Sequence, residues 1–523
     1  MRNTDQPAAE SAYIVTREIS AHAIASSLQA LLPTRHHLIA RHRFTLLDTF
    51  DGRIRRAGAR LTVSGARGTS KLAWQTGAGA SDVTVGLQQP VGFAWDLPDG
   101  PLQQAVESVI GPRRLLPQAD AEEAGSLLEV LDEREKTVAR VRIASTHARL
   151  PMPRASWQPL PTTVTLTGLR GYEGDYGRLV PLVESRPGIE SCPDGVTGLM
   201  LRRIGAPIRG SLSLPYVDLE STVRADAGAR QLHRALLEIL ALTEPGLRAD
   251  VDTEFLHDFR VAVRRTRALV RQIRHVFPPA IVEHFSNEFS WIGRLTGPPR
   301  DVDVLHLALR HRGAEFRGGA IDAVLGCLRQ MQQQQHDRLV EALDSDRYRL
   351  LISDWSAFLA RPVGADLDAR NAGEPLVELV SRRAWRLSRR IASAAGTIDE
   401  DSAAECLHQL RIDAKKLRYL IDVVSAFYDA ADIECILGAL KKLQRVLGDF
   451  NDAHVQETLL LECARSLRTA GPQVLATLGR LVGQSRQHRA RLRGEIAERL
   501  ERFRDHDTSR ACRRAFRTAE PTE

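Results

Sequence analysis

LHDFRVAVRRTR, residues 256–267, decides how the chain is read. Set on a helix at 100° per residue, His257, Arg260, Arg264, Arg267 and Arg271 fall within roughly 80° of one another. Opposite them stand Phe259, Ala262, Val263, Leu269, Val270 and Ile273, a stripe that such a helix buries against its neighbours. One helix is thus expected to face a core on one side and to present a row of cations on the other.

The stretch recurs as LHQLRIDAKKLR, an offset of 151 residues from Leu256 to Leu407. Further along, GPPRDVDV from Gly297 recurs as GDFNDAHV from Gly448, at the same offset. Two motifs with one spacing mark two homologous halves, each expected to be a small antiparallel bundle of four helices, over about residues 215–350 and 370–517. His257 then pairs with His408, Arg260 with Arg411, Arg264 with Lys415, Arg265 with Lys416, and Arg267 with Arg418. Charge sign is kept at every basic pair while the apolar residues between them vary. Asp301 and Asp452 also correspond; each follows a glycine by four residues, where a carboxylate that caps the free N–H groups of a helix start is the simplest reading.

Outward from these motifs, long segments of 3.6-residue period predict an all-α region over residues 209–523. Residues 13–184 differ: HHLIARHRFTLLDT, ARLTVSG, TVARVRIAST and TTVTLTGL are short β-like runs separated by Gly, Pro and Asp clusters, an antiparallel pattern. Residues 185–198 and 205–215 read as linker from their Gly, Pro and Ser content. The expected fold is therefore an α+β multidomain chain, with an N-terminal antiparallel β-barrel-like domain (1–208) followed by an all-α domain (209–523).

The chain has 523 residues, 72 Lys+Arg against 65 Asp+Glu, and a formal charge of +7. Residues 1–215 hold 25 basic and 21 acidic side chains and the remainder 47 and 44, so neither part is basic in bulk. Any electrostatic function has to come from the arrangement of charge on particular faces. Six scattered cysteines without a C-x-x-C pair argue against a zinc knuckle or a disulfide scaffold. No signal-like h-region or long apolar run is present, which leads to the expectation of a cytoplasmic protein without a membrane partner.

Cations at i, i+3, i+7 and i+10 span roughly 15 Å of helix. One such row reads most simply as a solvated face, but Asp258 is the only acid between Leu256 and Phe277, and the row is duplicated. Two rows facing each other would suit a repeating polyanion, since arginine forks donate bidentate hydrogen bonds to phosphate oxygens. Few aromatic residues accompany the rows beyond Tyr419, Trp291 and Trp385, and no base-reading module is present, so no specific nucleic-acid partner is expected. Beside arginines, the two imidazoles are expected to be pushed toward the neutral form, and binding to strengthen as pH falls from 7 to 5.5. A second copy of the chain is a further partner the sequence permits.

LHxxRVAxRRxR and LHxxRIxxKKLRY, each followed by its Gly-to-Asp segment, resemble the CHAD domain, the conserved histidine α-helical domain, over roughly residues 214–517. The resemblance implies paired four-helix bundles that bind inorganic polyphosphate along a basic surface and bring the protein to polyphosphate granules. Carried over position by position, the contacts are His257, Arg260, Arg264, Arg265, His408, Arg411, Lys415 and Lys416; the stripe adds Arg267 and Arg418. More faintly, LLDTFDGRIRRAGARLTV (46–63) is similar to the CYTH domain of the triphosphate-tunnel metalloenzymes. That family's E-x-E-x-K strand is reduced in YIVTREIS to Glu18, Thr62 and Ser64 stand where its arginines would be, and TTVTLTG has threonines in place of carboxylates. Without inward charge a tunnel neutralises neither metal nor triphosphate, so no catalytic residue, metal or cofactor is expected. The alternatives are a metal-dependent triphosphatase that uses Glu18 and a helical protein-protein scaffold.

Overall fold

The computed structural model describes all residues except 1–8, 17–18, 66–69, 77–82, 88, 211, 213–216, 313–318, 365–368, 395–397, 399–401 and 518–523. The chain divides into two units, residues 1–212 and 213–523.

The first unit is an antiparallel sheet. Its strands are β1 (Glu10–Val15), β2 (Thr34–Asp48), β3 (Ala59–Ser64), β4 (Ser70–Thr76), β5 (Val83–Leu87), β6 (Leu116–Leu131), β7 (Thr137–Arg149), β8 (Gln158–Pro159), β9 (Thr163–Gly168) and β10 (Ile189–Ser191). They lie in the order β10-β1-β9-β7-β6-β2-β3-β4-β5, with β8 on β7. Five helices accompany the sheet: α1 (Ala21–Gln29), α2 (Arg53–Arg56), α3 (Pro101–Ile110), α4 (Glu173–Glu184) and α5 (Gly195–Arg203). Alternation along the strands buries Leu128, Val141, Ile143, Val164 and Leu166 against Ile24 and Leu28 of α1 and Val183 of α4. A second core joins Leu61, Leu72 and Trp74 to Leu102, Val106 and Ile110 of α3. The segment 185–198, expected as linker, instead supplies β10 and the start of α5, because the backbone of Ile189, Glu190 and Ser191 pairs with β1.

The second unit is all helical: α6 (Ala225–Arg248), α7 (Thr253–Gln272), α8 (Pro279–Leu295), α9 (Gly297–His311), α10 (Ala320–Asp344), α11 (Asp346–Ala360), α12 (Leu376–Ala394), α13 (Ala404–Val424), α14 (Ala430–Ser466), α15 (Pro472–Arg504) and α16 (His506–Phe516). Shifted by the sequence offset, α6 and α7 fall on α12 and α13, and α8 with α9 falls on the single helix α14. Two prolines explain the break: Pro298 and Pro299 stand where the other half has Asp449 and Phe450, and proline supplies no N–H to continue the ladder. Each half so comprises four long helical stretches, to which a shorter fifth helix, α11 or α16, is added. Among the described residues, no helix is long and apolar enough to cross a membrane.

Asp252 starts α7 by accepting from the N–H groups of Glu254 and Phe255 at 2.9 and 3.2 Å. Phe259, Ala262, Val263, Leu269 and Val270 are buried, as the helical period predicts. Close packing of α6 on α7 depends on Gly246, since a Cβ there would run into the Phe255 ring. Gly246→Ala should cost about 1–3 kcal/mol, the usual cost of overpacking, read as a lower denaturation midpoint with an unchanged denaturant slope. The two halves also share a core of Val302, Leu305, Val324, Leu328, Leu460 and Leu481. Within it, Cys463 Sγ lies 3.7 Å from Met331 Sδ and in hydrogen-bond contact with Cys327; burial pushes its thiol up, and Cys327 adds to the rise. Sequence spacing gave no hint that these two scattered thiols meet.

Candidate polyanion-binding site

Helices α7 and α13 pack against each other, so the duplicated stripes meet. From α7 come Arg260, Arg264, Arg265 and Arg267, all half-buried; from α13 come Arg411, Lys415, Lys416 and Arg418, also half-buried. His257 is half-buried on α7, whereas His408 is exposed on α13.

Four of these cations form the centre. Arg260, Arg264, Arg411 and Lys415 lie within electrostatic reach of one another, two from each half. Burial, then repulsion by Arg264, Arg411 and Arg260, pushes Lys415 down to about 6, with Asp452 opposing it. Burial is also the largest cause holding Arg260 and Arg411 below the usual arginine range, with Asp301 and Asp452 respectively opposing it. The Nε atoms of Arg264 and Arg411 are buried without a hydrogen-bond partner. Buried guanidinium N–H groups that lack an acceptor cost stability, and an anion entering here relieves that cost.

Three of the other cations, Arg265, Lys416 and Arg418, are already engaged. Arg265 and Arg418 share Asp422, at 3.1 and 2.9 Å. Lys416 lies 3.3 Å from Asp413, which also holds Arg390 at 3.0 Å. The scarcity of acids along 256–277 therefore does not leave every cation of α7 unneutralised, because Asp422 reaches Arg265 from α13 and Asp301 reaches Arg260 from α9. Tyr419 packs beneath the pair Arg264 and Arg265, whose guanidinium carbons lie 5.7 and 5.5 Å from its ring centre.

Asp301 and Asp452 do not cap helix starts. Asp301 lies inside α9, past the first turn, and Asp452 in the middle of α14, where the unbroken helix has no free N–H groups to cap. They act instead as counter-charges to Arg260 and Arg411 and lie within reach of each other; burial raises the Asp301 carboxyl, Arg260 draws it back, and Asp452 adds to the rise. Arg260 is fixed further by donating from Nη1 to Gly293 O at 3.1 Å. A Cβ on Gly297 would come within 3.3 Å of that same Nη1, so the glycine that opens the second motif makes room for the guanidinium.

Sequence reasoning missed how far the basic surface extends. Arg267 feels Arg271, Arg264 and Arg294, and on α12 Arg383 feels Arg274, Arg386 and Arg390. The run SRRAWRLSRR (381–390) was the signal for the second group.

In the first unit, a cavity of about 690 Å³ is lined by residues that include Thr165 and Thr167 of β9, Glu10, Arg60, Glu129 and Arg142. The threonines read as replacements for inward carboxylates do line a cavity. Its acids are Glu10, Glu129 and Asp194, and they face arginines: Glu10 feels Arg60, Glu129 lies 3.7 Å from Arg140, and Asp194 pairs with Arg202. Asp48, at the end of β2, and Asp51, in the TFDGR turn, are also committed: Asp48 accepts from the N–H groups of Thr49, Ile54 and Arg55, and Asp51 holds Arg53, Arg56 and Arg113. Glu18 lies outside the described residues. Among the described residues, no group of three or more His, Cys, Asp or Glu is placed to hold a metal ion.

Comparison with known proteins bears on the helical unit. Two proteins of Mycobacterium tuberculosis, from strains CDC 1551 / Oshkosh and ATCC 25618 / H37Rv and each described as an uncharacterized protein, are 27% identical over 287 residues. The match covers 53% of this chain and 53% of each relative, so the chain spans about half the length of the curated relatives it matches. Among solved structures, the CHAD domain from the plant Ricinus communis aligns with a TM-score of 0.48 at 24% identity, covering 55% of this chain and 96% of that one. PptA from Streptomyces chartreusis aligns with a TM-score of 0.41 at 18% identity, covering 53% of this chain and all of that one. The model of the CHAD domain family matches residues 230–461, a span that includes α7, α13 and both Gly-to-Asp segments. The helical unit of this chain thus carries a CHAD domain over residues 230–461.

Proposed function

We propose that the protein binds inorganic polyphosphate, without hydrolysing it, on the surface where α7 meets α13. The observation that carries this reading is the centre of Arg260, Arg264, Arg411 and Lys415, brought together from two halves with fewer carboxylates than cations and with buried donors left without acceptors. Membership of residues 230–461 in a family linked to polyphosphate binding supports it. A bare phosphate chain suits such a centre because it offers acceptors at every unit and needs no base-stacking platform. Arg265, Lys416 and Arg418 would act as an outer ring, each first having to share its acid.

Association with polyphosphate granules follows as an expectation of the same contacts, tested by whether a fluorescent fusion collects on granules and disperses on charge reversal in the centre. The N-terminal unit is, in this proposal, a CYTH-like tunnel that has lost its chemistry: its lining acids Glu10, Glu129 and Asp194 face Arg60, Arg140 and Arg202, which leaves little free negative charge to hold a divalent cation. Incubation with tripolyphosphate and Mg²⁺ or Mn²⁺ tests this, with no phosphate release as the expected result.

Counterion release makes salt the direct test of binding. If four cations neutralise phosphates as they would on a single nucleic-acid strand, log K should fall against log salt with a slope of about −3. Titration at several salt concentrations checks this, and a flat response contradicts the proposed site.

A further inference from the structure

A cleft in the second half lies apart from this surface. It has a volume of about 390 Å³ and is formed by Trp385, Ser388 and Arg389 of α12 and by Ser509 and Arg513 of α16, with Arg517 at the end of α16. At 100° per residue Trp385 and Arg389 share one face of α12, while Arg383 and Arg390 are turned roughly 140–160° from Trp385 and roughly 100–120° from Arg389, toward Gln272 and Asp413. Phe503 and Cys512, both buried, close its inner side.

We propose that this cleft is a second ligand site that takes a nucleoside phosphate, with the ring against Trp385 and the phosphates on Arg389, Arg513 and Arg517. Charge is the first argument. Nearby arginines have partners: Arg382 pairs with Glu374, Arg390 with Asp413 and Arg514 with Asp432. Among the described residues, Arg389, Arg513 and Arg517 have no acid partner, and no carboxylate lines the cleft. Three uncompensated guanidinium groups around one opening call for an anion able to accept several charge-assisted hydrogen bonds.

The rest of the lining argues for more than a bare phosphate. Trp385 supplies an aromatic surface, and its indole N–H makes no hydrogen bond to a described residue. Ser509 Oγ donates to Arg504 O at 2.9 Å, so toward a ligand this hydroxyl offers lone pairs, whereas Ser388 Oγ, buried, donates to Trp385 O at 2.8 Å and meets the Cys512 thiol. A fully ionised phosphate has no donor for Ser509, whereas ribose hydroxyls and base N–H groups do. The volume also falls within the range of ordinary small-ligand pockets.

The experiment uses the full chain carrying Arg264→Glu and Arg411→Glu, so that the polyphosphate surface is silenced and the two sites can fail separately. Calorimetric titration with ATP should still show saturable binding, close to that of the unsubstituted chain. Adding Arg389→Ala with Arg513→Ala should weaken ATP roughly tenfold or more, both side chains being exposed and without an acid partner among the described residues. Trp385→Leu should weaken ATP roughly tenfold and leave tripolyphosphate unchanged, while Trp385→Phe, which keeps a ring, should stay within about threefold. The proposal is overturned if ATP fails to bind at millimolar concentration, or if its affinity ignores the arginine pair. Tripolyphosphate binding as tightly as ATP, with no dependence on Trp385, overturns it equally, since the cleft would then be a bare-phosphate subsite.

Discussion

Arg264→Glu combined with Arg411→Glu is expected to abolish binding of long polyphosphate chains while leaving the fold intact. Each arginine contributes charge-assisted hydrogen bonds worth about 1.5–3 kcal/mol, so loss of two gives about 3–6 kcal/mol, or roughly a hundred- to ten-thousandfold in affinity before repulsion is counted. The reversal also places two carboxylates against the polymer. Stability should move the other way. Arg264 and Arg411 both push on Lys415, and a glutamate at either position converts that repulsion into attraction. Arg264→Glu alone should therefore hold or raise the melting temperature while binding weakens, which separates a lost site from a lost fold; at position 411 the new carboxylate also faces Asp452 and Asp301, which offsets that gain. Loss of helical circular dichroism together with binding would remove the result's force; retained binding in a folded variant would show that the polymer lies elsewhere.

Lys415 is expected to make binding depend on pH. On its own helix it faces Arg411, from α7 it faces Arg260 and Arg264, and from α14 Asp452. Its value is lowered to about 6, so near pH 7 to 8 the unliganded protein holds it largely neutral. A phosphate chain in contact favours the charged form and raises that value, so the complex carries more protons than the free protein. Affinity then rises as pH falls from about 8.5 to 6, by up to tenfold per unit for one proton, and levels off below 6. Calorimetry in buffers of different ionisation heat should show proton uptake near pH 7.5, lost in Lys415→Met. A pH dependence that persists unchanged in Lys415→Met would contradict the assignment to this lysine.

The same shift governs stability, with the sign set by which state binds the proton. A lysine whose folded value lies below its unfolded value is protonated first in the unfolded chain, so stability is full above about 10.5 and is lost as pH falls toward 6, at about 1.4 kcal/mol per unit. Lys415→Met should accordingly raise the melting temperature at pH 7 and have little effect near pH 10.5. A stability cost borne by the unliganded protein and relieved by the ligand is what a binding centre built from like charges entails.

The sequence made the helical unit legible because its signals are local or periodic. A 3.6-residue period gave α7 and its buried face, and one offset shared by two motifs gave the duplication. The long strand β6 was harder to see: LPQADAEEAGSLLEVL has one β-branched residue, and its conformation is set by pairing with β2 and β7 on either side. At the site, the cations were visible but their counter-charges were not. Asp422 reaches Arg265 across two helices, and no spacing within 256–277 records that neighbour. Asp452 looked like a cap because it follows Gly448, yet without prolines after that glycine the helix runs on and the carboxylate turns to Arg411 instead. Local chemistry therefore placed the donors, and tertiary packing decided which of them stay available.

Titration of the full chain with polyphosphates of graded length, beside duplex DNA at matched charge, tests the central claim most directly. Affinity should climb with chain length until the polymer spans the paired rows, each roughly 15 Å long, and should exceed that for DNA at every salt concentration. Equal affinity for DNA, or an affinity indifferent to phosphate length, would contradict a site built by the facing of α7 and α13.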